Sequence, residues 1–151
     1  MMWFNKAHPN TIYFDIRFEP KGLIDIRPNF SVEPDIVGDF TDLPFDDAMF
    51  KLVLFDPPHI HRPNGKSEKS IMGKKFGILL DGWEEVIAAG FSECWRVLDD
   101  YGTLVFKWSE ETIPVRTVLG LLPEGMDPLF GHTTSRNGKT KWMTFMKFPN
   151  E

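Results

Sequence analysis

The sequence predicts an α/β fold with a mainly parallel sheet and an antiparallel edge. Strand signals alternate with helix signals, and "KLVLF" at residues 51–55 is a continuous apolar run typical of a strand buried on both faces of a parallel sheet. Near the end of the chain, Asn137-Gly138 between two apolar stretches favours a hairpin. The 151 residues, 42% of them hydrophobic, suit one well-cored domain spanning residues 1–151.

The other elements follow from short apolar runs and one helical stripe. The helix is predicted at 83–98, where apolar residues fall on one face, with Asp81 and Glu84 as its capping pair and Gly102 as its stop. Residues 61–75 are polar and predict a loop. The remaining predicted elements are strands at 11–17, 23–28, 35–40 and 102–108, a helix at 114–122, and the closing hairpin.

Acidic residues stand at the ends of three predicted strands, namely Asp15, Asp39 and Asp56. Ligands of open α/β sheets bind at the carboxyl ends of the strands. Each of these residues is equally explained as a turn former or a helix cap. Three of them in register favour a binding site.

The clearest site signal is Asp56-Pro57-Pro58-His59, directly after the buried strand. Proline fixes its own φ and restricts the residue before it, so this turn is stiff and aims a side chain outwards. A simple reversal needs only one proline or a glycine. The pattern therefore predicts a functional turn.

Composition restricts the classes of function. A net charge of −5 argues against general coating of nucleic acid, whose affinity depends on Lys and Arg. The single cysteine, Cys94, fits a reducing compartment. No apolar run approaches the ~20 residues of a membrane helix, and "MMWFNKAHPN" lacks the layout of a secretory signal. We therefore expect a soluble, cytoplasmic protein with no membrane partner.

Together these segments resemble class I S-adenosylmethionine-dependent methyltransferases. "DIVGDFTDLPFDDAMFKLVLFDPPH" resembles the run from the family's third strand to its fourth, "FSECWRVLDDYGTLVFKW" the next helix and strand, and the terminal hairpin the last two strands. The similarity covers residues 11–148. Small phage-type and bacterial members with an Asp-Pro-Pro-His motif are the most similar. The resemblance implies a Rossmann-like fold, methyl transfer, and S-adenosyl-L-methionine as cofactor.

The resemblance also implies the cofactor ligands. In the family, an acid ending the second strand binds the ribose, and an acid after the third strand binds the adenine edge. These roles fall to Asp15 with Arg17 and to Asp39 with Phe40, with Asp56 beside the methyl group.

The family's first strand and glycine-rich loop are not found before residue 11, which leaves two interpretations. In the first, the chain starts internally, so that residues 11–17 are the second strand and Asp15 binds the ribose. In the second, residues 11–17 replace the first strand, 23–28 are the second, and Asp25 binds the ribose. We favour the first, because the residues between 17 and 23 are too few for a parallel crossover.

Similar turns in the family hold the exocyclic amino group of adenine or cytosine. Asp56 and the Pro57 carbonyl offer acceptors, while Pro58 has no N–H to compete. His59 supplies a planar face for a base, or acts as a general base. His59 and His61 alone complete no metal pattern, so we predict no metal.

The loop at 61–75 is strongly basic beside one acid, Glu68. We expect contact with a nucleic acid or another acidic substrate, or else an ordinary solvated loop. The basic residues are Arg62, Lys66, Lys69, Lys74 and Lys75.

Two further alternatives for the function remain. One is a methyltransferase-fold binding module or subunit that is catalytically impaired, and the other is a methyltransferase of small molecules or proteins.

Overall fold

The computed structural model describes residue 5, residues 7–63 and residues 70–149. The chain divides into two compact units, one up to Phe40 and one from Thr41. Each unit is described by itself. The single-domain organisation stays a prediction.

In the N-terminal unit, two short strands form a parallel pair. Strand β1 is Phe14–Asp15 and strand β2 is Ile36–Val37, with Phe14 opposite Ile36. The Gly38 N–H donates to the Asp15 carbonyl at 3.1 Å. A Cβ at Gly38 would lie 2.7 Å from the Phe14 ring, so a side chain there would displace this ring. The pairing brings the carboxyl ends of both strands together.

The predicted strand at 23–28 is wrong. Its backbone forms local turn bonds, from the Arg27 N–H to the Ile24 carbonyl at 2.8 Å and from the Phe30 N–H to the Arg27 carbonyl at 2.9 Å. Ile24 is buried, whereas Ile26 is 72% exposed. One anchored side chain does not make the buried face that a strand needs. The interpretation with Asp25 at a strand end is overturned with it.

The C-terminal unit contains a four-stranded mixed sheet. Its strands are β3 (Phe50–Phe55), β4 (Leu98–Ser109), β5 (Phe130–Thr134) and β6 (Thr140–Met146), in the order β3-β4-β6-β5. The β3–β4 pair is parallel, and the other two pairs are antiparallel. Parallel pairing with a C-terminal antiparallel hairpin confirms the α/β class.

Among the described residues of this unit there are three α-helices, α1 (Ile71–Phe76), α2 (Trp83–Val97) and α3 (Val115–Leu119). Helix α1 lies where the sequence predicted only loop. The Ser70 hydroxyl accepts from the Gly73 N–H at 3.0 Å, which caps its first turn. Helix α3 is shorter than predicted and starts after Pro114.

Helix α2 has the predicted bounds to within one residue, but the residues predicted to cap and stop it are wrong. The N-cap is Gly82, at φ +81°, and it makes no side-chain bond, so Asp81 does not cap the helix. At the other end the chain passes directly into β4, and Lys147 Nζ donates to the carbonyls of Trp95 and Leu98. Gly102 therefore does not stop the helix.

Gly102 instead lies inside β4, beside an irregularity in its pairing. Phe50 pairs with Leu98 but Leu52 pairs with Thr103, so extra residues bulge out of β4. A Cβ at Gly102 would lie 2.6 Å from the Asp99 carbonyl oxygen. The bulge therefore requires glycine at this position.

The core of this unit lies between α2 and the sheet. Phe91 packs edge-on against Phe55 at 5.5 Å and against Phe106 at 4.9 Å between ring centroids. On α2, Arg96 bonds Glu93, Asp47 and the carbonyls of two residues in the segment before β3. Together these contacts fix the segment that leads into β3.

Among the described residues, no helix is long and apolar enough to cross a membrane.

Candidate functional site

Asp56 follows the last residue of β3, at its carboxyl end, as predicted. Its carboxylate is held by Lys107 of β4, whose Nζ donates to Oδ1 at 3.0 Å and to Oδ2 at 2.8 Å. Because Phe55 is paired with Phe106, the next residue on each strand falls side by side. The Asp56 side chain remains 30% exposed, so solvent or a ligand reaches it.

His59 does not point out of the turn, which corrects the prediction of an outward side chain. It is only 8% exposed, and its ring packs against Phe76 of α1 and Trp108 of β4, with centroids 5.8 and 6.2 Å away. Burial lowers the pKa of His59 below its ordinary value, while the nearby Asp56 carboxylate acts in the opposite direction. The imidazole is therefore neutral at pH 7.

Two neighbours, Thr112 and Gly77, hold the backbone of the turn. The Thr112 hydroxyl donates to the His59 carbonyl at 3.1 Å and accepts from the His61 N–H at 2.8 Å. Behind the turn, Gly77 lies close to Pro58, since a Cβ there would come 3.1 Å from Pro58 Cγ. The acceptor groups of the turn thus sit on a backbone that is fixed from both sides.

A cavity of about 300 Å³ adjoins the residues that follow the turn. Its wall includes Ile60, Arg62, Met72 of α1 and Glu111 of the segment after β4. Glu111 also pairs with Lys139 at 3.1 Å. The volume is at the lower end of the range for ligand pockets, and the wall combines apolar surface with charges of both signs.

In the N-terminal unit, Asp15 and Asp39 lie at the same end of the β1–β2 pair. Asp15 is the last residue of β1 and Asp39 is two residues beyond β2. The Asp15 carboxylate accepts from the Arg17 backbone N–H at 3.0 Å and from its guanidinium at 2.9 and 3.0 Å. A carboxylate has about four lone-pair sites, so Arg17 fixes Asp15 but leaves it little capacity for further donors. Asp39 is exposed and Phe40 is half-buried.

The basic cluster is described only in part. Arg62 is exposed and lines the cavity, while Lys74 and Lys75 lie in the last turn of α1. Cations stabilise the C-terminal end of a helix, and Lys75 Nζ lies 4.6 Å from the centre of the Phe76 ring. These two lysines therefore have a structural explanation as well. The predictions for Lys66 and Lys69 fall outside the described residues.

His61 has no metal-binding partners among the described residues, where no group of three or more His, Cys, Asp or Glu side chains is arranged to hold a metal ion. Its Nε2 lies 3.6 Å from an Asp81 carboxylate oxygen, and its ring is 6.3 Å from that of Trp83. These contacts suit a packing role.

Lys107 and Thr112 were not predicted as site residues. Lys107 had a signal, because it is a lysine within the apolar strand sequence "TLVFKW". Recognising its partner required the β3–β4 register, which the sequence does not give. Thr112 contacts the turn through its hydroxyl from 53 residues away in the chain, and no local pattern marks it.

Comparison with known proteins adds information on the fold. No family model matches the sequence, and no curated protein matches it either. Among solved structures, the PH0226 protein from Pyrococcus horikoshii OT3 is 14% identical over 74% of this chain and 58% of its own, with a TM-score of 0.50. At this identity the likeness shows the fold alone.

Two other similar structures have descriptions that mention methylation. TTHA0409 from Thermus thermophilus, described as a "Putative DNA Modification Methylase" and complexed with S-adenosyl-L-methionine, is 16% identical over 76% of this chain and 53% of its own (TM-score 0.45). The N-methyltransferase NodS from Bradyrhizobium japonicum WM9 is 14% identical over 76% and 59% (TM-score 0.43). The chain thus spans between 53 and 59% of these three solved chains.

Proposed function

We propose that this protein is an S-adenosylmethionine-dependent methyltransferase that acts on an amino nitrogen of a nucleobase or a similar amine. The observation that carries the proposal is the placement of Asp56. Its partly exposed carboxylate stands at the carboxyl end of β3 and opens a stiff Pro-Pro turn, as the sequence resemblance implies. Thr112 and Gly77 fix that turn from both sides.

The chemistry explains why a turn that carries hydrogen-bond acceptors suits this reaction. We call residues 56–59 the acceptor turn. The lone pair of an aryl amine is delocalised into its ring, so the nitrogen is a weak nucleophile until its N–H groups are held by acceptors. When bound, S-adenosylmethionine supplies an electrophilic methyl group on a sulfonium. As the nitrogen–carbon bond forms, positive charge develops on the nitrogen, and the Asp56 carboxylate stabilises that charge. The bond between the methyl carbon and the sulfonium would break as the new bond forms, leaving a neutral thioether, and the nitrogen would then release a proton to the solvent that reaches Asp56.

In our proposal, His59 holds the turn in place and does not take part in the chemistry. The ring packs against Phe76 and Trp108, and only 8% of the residue is exposed in this structure. Because its pKa is lowered by burial, a neutral imidazole packs there without an unpaired charge. We assign it the role of holding the turn in place.

For the cofactor, the carboxyl ends of β1 and β2 supply Asp15 and Asp39 as ligands of the ribose diol and the adenine edge. Arg17 orients Asp15 through three hydrogen bonds, so a ribose diol must replace part of this pairing in order to bind. Phe40 adds apolar surface beside Asp39. Both acids lie at one end of a parallel pair, where α/β folds bind ligands.

Calorimetric titration with S-adenosylmethionine and its demethylated product tests this proposal. Asp15→Ala and Asp39→Ala should each weaken binding about tenfold or more, as expected when a charge-assisted hydrogen bond is lost. Asp25→Ala is the matched control, because Asp25 is an exposed acid of the same unit away from any strand end. Thermal melts check that the variants fold. Equal affinity in all three variants and the parent would contradict the assignment.

The basic cluster tests whether the acceptor is part of a nucleic acid. If its lysines contact phosphates, neutralising four of them should flatten the salt dependence of binding. Absence of binding by the parent at low salt would leave a small amine as the acceptor. The four substitutions are Lys66→Gln, Lys69→Gln, Lys74→Gln and Lys75→Gln.

One observation favours the alternative of a binding module that does not catalyse. Both oxygens of Asp56 accept hydrogen bonds from Lys107 in this structure, so a substrate amine would have to share these oxygens with Lys107. A protein that binds the cofactor yet transfers no methyl group to DNA, RNA or small amines would support this alternative.

A further inference from the structure

Lys107 is fixed from two sides at the acceptor turn. On one side its Nζ lies 2.8 and 3.0 Å from the two oxygens of Asp56. On the other it lies 5.8 Å from the centre of the Trp142 ring, because Lys107 and Trp142 are directly paired between β4 and β6. Only 22% of the Lys107 side chain is exposed. A lysine side chain thus stands directly beside the Asp56 carboxylate.

The Trp142 ring is itself held in place. Its Nε1 donates to the Thr134 hydroxyl at 2.9 Å. The His132 ring is nearly parallel to the Trp142 ring, with an interplanar angle of 2° and 6.1 Å between the ring centroids. Directly paired residues project from the same face of a sheet. Thus His132, Trp142 and Lys107 form a row across three strands that leads to Asp56.

The charges of Asp56 and Lys107 bear on which amines can bind at this turn. A lone carboxylate attracts protonated alkyl amines, which have no lone pair and cannot take a methyl group. Lys107 offsets the charge of Asp56 and repels a second cation. It donates to both oxygens, yet a carboxylate offers about four lone-pair sites, so N–H groups of a neutral amine still find acceptors.

We propose that Lys107 is a specificity-determining residue, which makes the acceptor turn selective for uncharged aromatic amines over protonated alkyl amines. This inference rests on the proposed function and names its substrate class. Lys107 acts through the charge and position of Asp56, and it is therefore a positioning residue.

The test compares two amines of similar size that differ in charge at neutral pH. Aniline is neutral, and benzylamine is protonated. Binding at millimolar concentrations is followed by NMR through the indole N–H signal of Trp142. Asp56→Asn identifies binding at the turn, since it should remove the response to benzylamine.

Lys107→Met should shift the ratio of the two affinities towards benzylamine by about tenfold or more, the effect of removing one unit charge ~4 Å from another in a partly exposed site. Lys107→Gln is a second neutral variant in case Met disturbs folding. Lys107→Arg keeps the charge and should restore the parent ratio. Lys141→Met is the matched control, because Lys141 pairs with Glu110 at 3.3 Å, has a similar exposure of 28%, and is aligned with Trp108 on the opposite face.

An unchanged ratio in both neutral variants overturns the inference, as does a parent that binds neither probe. The titrations need neither cofactor nor turnover. Lys107-dependent selectivity in a protein that neither binds S-adenosylmethionine nor transfers methyl groups would refute the proposed function while supporting the selectivity. Methyl transfer with an unchanged ratio would overturn only the inference.

Discussion

Replacing His59 tests the packing of the acceptor turn. His59 is only 8% exposed, and its ring packs against two aromatic side chains. Buried Phe→Ala changes cost about 3–5 kcal/mol, and the imidazole is smaller and more polar, so His59→Ala should lower the free energy of unfolding by about 2–3 kcal/mol. For a chain of this length the melting temperature should fall by roughly 5–10 °C. His59→Phe fills the same space and should change stability by less than about 1.5 kcal/mol.

The pH dependence of stability gives an independent reading of the same site. Burial lowers the pKa of folded His59 below the value of about 6.5 in the unfolded chain. Below pH 6.5 the unfolded state therefore binds more protons, and the contribution of His59 to stability, fully present above that pH, is lost as pH falls through the folded pKa. His59→Phe lacks this loss, so it should gain stability relative to the parent between pH 7 and pH 5.

Urea denaturation followed by circular dichroism, at pH 8 and at pH 5, measures both effects. The reasoning is refuted if His59→Ala is as stable as the parent, or if the stability difference between His59→Phe and the parent is the same at both pH values. Activity separates the roles of the ring. If position is its role, His59→Phe retains much of the methyl transfer and His59→Ala loses it, whereas base catalysis requires both to be inactive.

Two further predictions concern the fold around the site. Gly102→Ala should destabilise the protein by about 2–3 kcal/mol, because the new Cβ would lie 2.6 Å from a backbone carbonyl oxygen. Gly125→Ala is the control and should cost only about 1 kcal/mol, because Gly125 has φ +78° but no atom lies within 4 Å of the new Cβ. Equal melting temperatures for the two variants would contradict the requirement for glycine in the bulge. Cys94 should react with thiol reagents only upon unfolding, because burial raises its pKa to about 12; rapid labelling of the folded protein at pH 8 would contradict its packing on α2.

The elements predicted well from the sequence are those with strong local signals. Strand β3 has an uninterrupted apolar run, α2 has a long apolar stripe, and the final hairpin carries Asn137-Gly138, with Gly138 at φ +68° in its turn. In each case the predicted element is present, but β3 is not buried on both faces as expected, because Phe55 is its only buried residue and Leu52 is 43% exposed.

The errors arose where local signals were ambiguous. Residues 23–28 contain apolar residues two apart, yet only Ile24 reaches the core, so the chain turns instead of extending. Helix α1 has six residues with Gly73 among them, which is too short for a visible stripe. Gly102 has the position of a helix stop, but Lys147 takes over the carbonyls at that end.

The candidate site was predictable up to the acid at the strand end. Asp56 was found because an apolar run that ends in an acid and two prolines is a local pattern. Its partner Lys107 lies 51 residues away and becomes visible only through the register of two parallel strands. The burial of His59 depends on Phe76 and Trp108, which belong to different elements.

The most direct test of the proposed methyltransferase activity is methyl transfer by the parent and by Asp56→Ala. Radiolabelled S-adenosylmethionine is offered with DNA, RNA and small aromatic amines, and calorimetry gives the cofactor affinity of each protein. Asp127→Ala removes an exposed acid elsewhere and serves as the control. The account predicts that Asp56→Ala binds the cofactor within a few fold of the parent but transfers methyl groups about a hundredfold more slowly, because its acceptor for the developing charge is gone. Transfer by Asp56→Ala at the parent rate would contradict it and leave the turn as a structural corner.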